Sequence, residues 1–153
     1  MDEDPIIYSL LVSKSAEARS LDVDLMVDLN VSLRKANLPS HKLIRIISNL
    51  IDNALDELAN NQSLENNRIK INSDVVGEQI KIVVHNNYSV IPKGLQKQIF
   101  KLGFSTKHGN KEDRGFGLYI TQKIIKRYGG SIEILSNSKV GTKLIIKLPK
   151  SSE

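Results

Sequence analysis

The residues between Gly103 and Gly130, G-F-S-T-K-H-G-N-K-E-D-R-G-F-G-L-Y-I-T-Q-K-I-I-K-R-Y-G-G, include the types that handle phosphate. Gly115 and Gly117 flank Phe116 just ahead of Leu118, Ile120, Ile124 and Ile125, which recur at helical spacing, and Gly129-Gly130 supplies a stop. The glycines are therefore expected at a helix N-terminus, where the first backbone N–H groups lack internal partners and favour an anion. Without Cβ, such positions let a polyphosphate approach the backbone. Ser105, Thr106 and Lys107 add two hydroxyls and an ammonium, and Lys111 and Arg114 add positive charge. The chemistry implied is the holding of a nucleoside triphosphate under a mobile lid. A glycine pair before a helix is a weak signal alone, because a basic glycine-containing loop is often only a solvated turn. The surrounding elements have to decide.

Asp4 followed by Pro5 predicts an N-cap and first helical residue, with Ile6, Ile7, Leu10, Leu11 and Ala16 continuing a helix to about Arg19. From Leu21 to Leu29 the apolar period becomes two, with Asp22, Asp24, Met26 and Asp28 between, which predicts a strand with one wet face. Pro39-Ser40 opens a second helix with Ser40 as its expected N-cap. Leu43, Ile46, Ile47, Leu50, Ile51, Ala54, Leu55 and Leu58 form its buried stripe. Asn49, Asn53 and Asp56 stack along one edge of this helix, so two carboxamides can reach one object. Ile69 and Ile71, then Ile80, Ile82 and Val84, alternate around Gly77 as a hairpin, and Lys93 to Lys101 reads as a short helix. Ile132 and Ile134, then Leu144, Ile146 and Leu148, form a closing hairpin around the turn from Asn137 to Gly141. The fold class expected is α+β: a two-layer sandwich, with a mixed, mostly antiparallel sheet of about five strands covered on one face by three helices.

With 153 residues and 40% hydrophobic content the chain suits one globular domain. Cysteine is absent, so disulfides and thiolate zinc sites are excluded, and His41, His85 and His108 are scattered. No apolar run is long enough to span a bilayer and the start M-D-E-D-P is acidic, so a soluble, cytoplasmic chain is expected. The net charge of +5 includes a concentration of Lys and Arg between residues 93 and 127. Three Phe, four Tyr and no Trp leave little stacking surface, which disfavours a nucleic-acid partner.

The segment N-L-I-D-N-A from Asn49 resembles the N box of the GHKL (Bergerat-fold) ATPase superfamily, I-F-K-L-G-F-S-T-K from Ile99 its F box, and R-G-F-G-L from Arg114 its second glycine box. Gly141-Thr142 through Pro149 resembles its closing strand. Within the superfamily the chain is similar to the catalytic, ATP-binding domains of bacterial sensor histidine kinases. The resemblance implies Mg²⁺ held on ATP by Asn49 and Asn53, and nucleotide contacts from Ser105, Thr106, Lys107, Arg114, Gly115, Phe116, Gly117 and Leu118. It places Thr142 near the adenine. The first glycine box departs from the pattern: Asn86, Asn87, Tyr88, Ser89 and Val90 stand where aspartate and two glycines are usual. Asn86 can still read an adenine edge, since a carboxamide both donates and accepts, and Asn87 can tolerate left-handed geometry. The altered box is similar to that of the peptide quorum-sensing branch, whereas Leu11 to Asp24 resembles the citrate and dicarboxylate sensors.

By the same resemblance, residues 1–20 end a connection from a dimerisation and phosphoacceptor region outside this sequence, and 21–150 form the catalytic domain. The implied activity is that of a protein-histidine kinase. Its acceptor histidine lies elsewhere, and hydrolytic members carry a glutamate where Asn49 stands. A response regulator is the implied downstream partner, and a membrane-anchored homodimer the implied full protein, with this domain monomeric. Two alternatives are a GHKL docking module that no longer binds nucleotide and an anti-sigma-factor-type serine kinase.

Overall fold

A computed structural model describes residues 3–59, 66–87, 90–101 and 111–152, the side chains of 111–116 excepted. Helix α1 (Pro5–Ser20) starts where expected, with the Asp4 carboxylate accepting the Ile6 N–H at 2.8 Å. The other Asp4 oxygen accepts the Ser40 hydroxyl at 3.3 Å, and Glu3 accepts both the Ser32 hydroxyl and the Leu33 N–H. Two carboxylates thus tie the start of α1 to a 3-10 turn at Leu33–Lys35 and to helix α2 (Ser40–Ala59). Ser40 is the first residue of α2 rather than its cap; the Pro39 carbonyl takes the first helical N–H groups.

Strand β1 (Val23–Leu29) begins two residues later than the alternation predicts. Leu21 and Asp22 instead turn the chain out of α1, and Asp22 takes φ +60°, a conformation that aspartate tolerates better than most residues. β1 pairs in parallel with β2 (Asn67–Val76), α2 making the crossover. Strands β3 (Gln79–Asn86), β5 (Gly141–Pro149) and β4 (Ser131–Asn137) complete an otherwise antiparallel sheet in the order β1-β2-β3-β5-β4. The expected mixed, five-stranded sheet is therefore present.

Helices α1, α2 and α4 (Lys111–Arg127) pack on one sheet face. Ile69, Ile71, Ile80, Ile82, Leu144 and Ile146 meet the α2 stripe there, all essentially inaccessible. Lys81, Val83, His85, Lys143, Ile145 and Lys147 occupy the opposite face. The short helix of the 93–101 segment is confined to α3 (Lys93–Gln96), beyond which turns carry Ile99 into the core and Phe100 against it. At the C-terminus of α4, Gly129 takes φ +81°, its N–H reaches the Lys126 carbonyl, and Gly130 N–H reaches that of Ile125. This is a Schellman stop.

Gly141 also has φ +81°, and a Cβ there would collide with the Asn86 carbonyl oxygen and lie 2.8 Å from the Asn87 carbonyl carbon. Gly77 has φ +62° but open space around it. Urea denaturation should therefore show Gly77→Ala losing about 1 kcal/mol from backbone conformation alone. Gly141→Ala should lose about 3 kcal/mol or more, because the β3 and β5 ends must also separate.

Candidate nucleotide site

The rotation of α2 is set by its apolar stripe, which leaves Asn49 and Asn53 half-buried at the edge of the layer. Asn49 Nδ2 donates to the Gly117 carbonyl at 3.4 Å and to Thr121 Oγ1 at 3.3 Å, while Thr121 Oγ1 donates to the same carbonyl at 2.7 Å. The amide edge of α2 is thereby joined to the turn of α4 that carries the glycine box. Thr121 is fully buried and belongs to none of the sequence motifs. Its signal is a threonine one turn after Gly117 on the face otherwise held by Leu118, Ile124 and Ile125, where a hydroxyl can bond the i−4 carbonyl.

Helix α4 begins at Lys111, four residues before Gly115, so the glycines do not mark its N-terminus. Lys-Glu-Asp-Arg consists of tolerable to good helix formers, with acids in the first turn, and propagates the helix upstream. Gly115, Phe116, Gly117 and Leu118 lie inside the first two turns. The N–H groups without intrahelical partners are then those of Lys111 to Arg114. Ser105, Thr106 and Lys107 fall outside the described residues, as does His108.

The sheet supplies a second polar group. Asn86 ends β3 opposite Thr142 in β5, and both face the helices with only 2–3% exposure. Ser136 of β4 pairs with Thr142 in register, and their hydroxyls share a hydrogen at 2.8 Å. Asn87 is not among the left-handed residues, which among the described residues are Asp22 and Asn66 outside the glycines. Its side chain accepts the Arg68 N–H at 2.8 Å and donates to the Asn66 carbonyl at 3.1 Å, bracing β2 instead. His85 donates a ring N–H to the Val140 carbonyl, a structural bond at the β4–β5 turn.

Asp52, next to Asn53, turns toward α1: Lys14 Nζ lies 2.6 Å from its carboxylate and 3.3 Å from that of Glu17. Burial pulls the Lys14 ammonium down, but hydrogen bonds and charges from Asp52 and Glu17 outweigh it and hold its pKa above the usual 10.5.

A two-layer sandwich with a carboxamide pair on its central helix, a glycine turn bonded to that helix and buried polar side chains at the sheet end has the makeup of an ATPase domain of the GHKL type. The family model for histidine kinase-, DNA gyrase B- and HSP90-like ATPases matches residues 39–152. The chain belongs to this family, and its relatives place it with the catalytic domains of sensor histidine kinases. It is 32% identical over 149 residues to sensor protein CitS of Halalkalibacterium halodurans, covering 96% of this chain and 27% of that protein. A probable C4-dicarboxylate sensor kinase of the same organism is 32% identical over 146 residues, covering 94% and 27%. The chain thus spans about a quarter of the length of these relatives. The catalytic domain of histidine kinase ThkA superposes with a TM-score of 0.78 at 27% identity, covering 94% of this chain and 90% of that one. ThkA is also known in complex with the response regulator protein TrrA, where the match has a TM-score of 0.75 at 25% identity and covers 95% and 39%.

Because the Lys14 pKa is raised, its contribution to stability is complete below pH 10.5 and is lost as pH climbs through the higher folded value. Lys14→Met should lower stability by about 0.5–1 kcal/mol, with half-exposed Asp52 limiting the gain from the pair. The deficit should be constant from pH 6 to 9 in urea titrations and shrink above pH 10.5.

Proposed function

We propose that this domain positions Mg-ATP for transfer of the γ-phosphoryl group to a histidine carried outside this sequence. The observation that carries the reading is the bond of Asn49 to Gly117 and Thr121, which sets the carboxamide edge of α2 against the glycine-box turn. With Nδ2 committed to α4, the Asn49 carbonyl oxygen remains for a cation, and Asn53 follows one turn along. Two neutral oxygen donors suit Mg²⁺, which takes one or two protein ligands and completes its shell with phosphate oxygens and water. Mg²⁺ would offset phosphate charge. Asn86 and Thr142 would hold the adenine, the N–H groups at the start of α4 that lack intrahelical partners would face phosphate, and Ser105, Thr106 and Lys107 would close over it.

A hydrolase would need a base for water near Asn53. Asn49 occupies the place where hydrolytic members carry glutamate, and Asp52 is held by Lys14. Alignment and charge stabilisation of an incoming nucleophile therefore fit this site better than water activation. The sensor-kinase relatives support residues 1–20 as the end of a connection from a dimerisation region, and support a membrane-anchored sensor with this domain on the cytoplasmic side. The ThkA–TrrA complex supports a response regulator as the downstream partner.

Calorimetric titration with ADP and a non-hydrolysable ATP analogue, with and without Mg²⁺, tests the reading. Binding should depend on Mg²⁺ and weaken at least about tenfold in Asn53→Ala. A folded wild-type domain that binds neither nucleotide would make the altered first glycine box decisive, and the docking-module alternative would replace the kinase reading. Rapid ATP hydrolysis by the domain alone would overturn phosphotransfer to histidine.

A further inference from the structure

Strand β4 lies at the edge of the sheet, and its one buried side chain is that of Ser136, 8% exposed. Ile132 and Ile134, on the same side, are only half-buried. An enclosed hydroxyl among apolar neighbours is unfavourable unless bonded, and packing alone would be met as well by alanine or a β-branched residue. Ser136 is bonded in a specific pattern. Its Oγ accepts the Ile91 N–H at 2.8 Å and shares a hydrogen with Thr142 Oγ1 at 2.8 Å. Gln96 Nε2 donates to the Ile91 carbonyl at 2.9 Å and reaches the Ser136 carbonyl at 3.4 Å. Both backbone groups of Ile91 are therefore fixed at the start of the segment that brings Ile99 and Phe100 to the core. The hydroxyl that fixes one of them also orients Thr142, which stands across from Asn86.

We propose that Ser136 is a positioning residue for nucleobase recognition: it sets the Thr142 hydroxyl and links it to the Ile91 backbone, so that seating a base and seating the 90–101 segment are one event. The inference rests on the nucleotide-binding reading above. Ser136 acts through Thr142 and Ile91, without contact to the base itself. Loss of its hydroxyl removes the acceptor of the Ile91 N–H and the bond between the Ser136 and Thr142 hydroxyls.

The test compares wild type, Ser136→Ala and Ser136→Thr by calorimetry with Mg-ADP and Mg-GDP, with amide hydrogen exchange at Ile91. Ser136→Ala should weaken ADP by about three- to tenfold, the range of one hydrogen bond, while GDP changes little, so the ADP preference narrows. Threonine should restore it. ADP should slow exchange of the Ile91 amide in wild type and not in Ser136→Ala. Should the alanine variant not fold, Ser136→Cys keeps the volume with a weaker acceptor and should show the same narrowing. A variant with lowered melting temperature but an unchanged ADP-to-GDP ratio would reduce Ser136 to packing. A wild type that binds ADP and GDP equally would overturn the proposal and leave the nucleotide reading standing, whereas a wild type that binds neither would overturn both.

Discussion

The apolar layer between α2 and the sheet is the constraint on which the other features depend. Leu43, Ile46, Ile47, Leu50, Ile51, Ala54, Leu55 and Leu58 are all buried there, and each large side chain is worth about 1.5–3 kcal/mol relative to exposure. Successive helical residues differ by about 100°. Turning α2 far enough to bury Asn53 would therefore bring isoleucines into water. The helix has one acceptable rotation, and that rotation delivers Asn49 to α4. A site of weak polar contacts, each near 1 kcal/mol, is thus held by an apolar interface many times stronger.

Helix α1 belongs to this arrangement. Ile7, Leu11 and Ala18 bury against the layer, Glu3 and Asp4 hold the Leu33 turn and Ser40, and Lys14 bonds the N-box helix. Residues 3–20 are built into the domain at both ends and the middle. Any rotation of α1 about its axis must break the Lys14–Asp52 pair or move α2 with it.

Elements with strong periodicity were legible from residue order: the stripe from Leu43 to Leu58, the alternation around Gly77 and the closing hairpin each appear close to the expected bounds. The motif residues Asn49 and Asn53 lie on α2, Asn86 at the end of β3 and Thr142 near the start of β5, the elements their positions in the sequence predict. What the sequence concealed depends on partners distant along the chain. Ser40 looks like a cap, yet its hydroxyl bonds Asp4. Gly115 and Gly117 look like a helix start, yet Lys111 to Arg114 extend the helix upstream, and the Gly117 carbonyl accepts from α2. Thr121 and Ser136 are ordinary helix and strand residues until register and packing bring Asn49 to one and Ile91 to the other. Local pattern decides element type, but hydrogen-bond partners across elements appear only once the layers meet.

Asn86 is enclosed between the sheet and the helices, with hydroxyls and apolar side chains around it. An ionised carboxylate at the same depth would face a large desolvation cost and would change charge with acidity. The carboxamide carries no charge to desolvate and does not titrate in this range. On the nucleotide reading proposed above, the groups at Asn86 would keep the same donors and acceptors from mildly acidic to alkaline conditions, and a pH dependence of base binding would have to arise at the phosphate end.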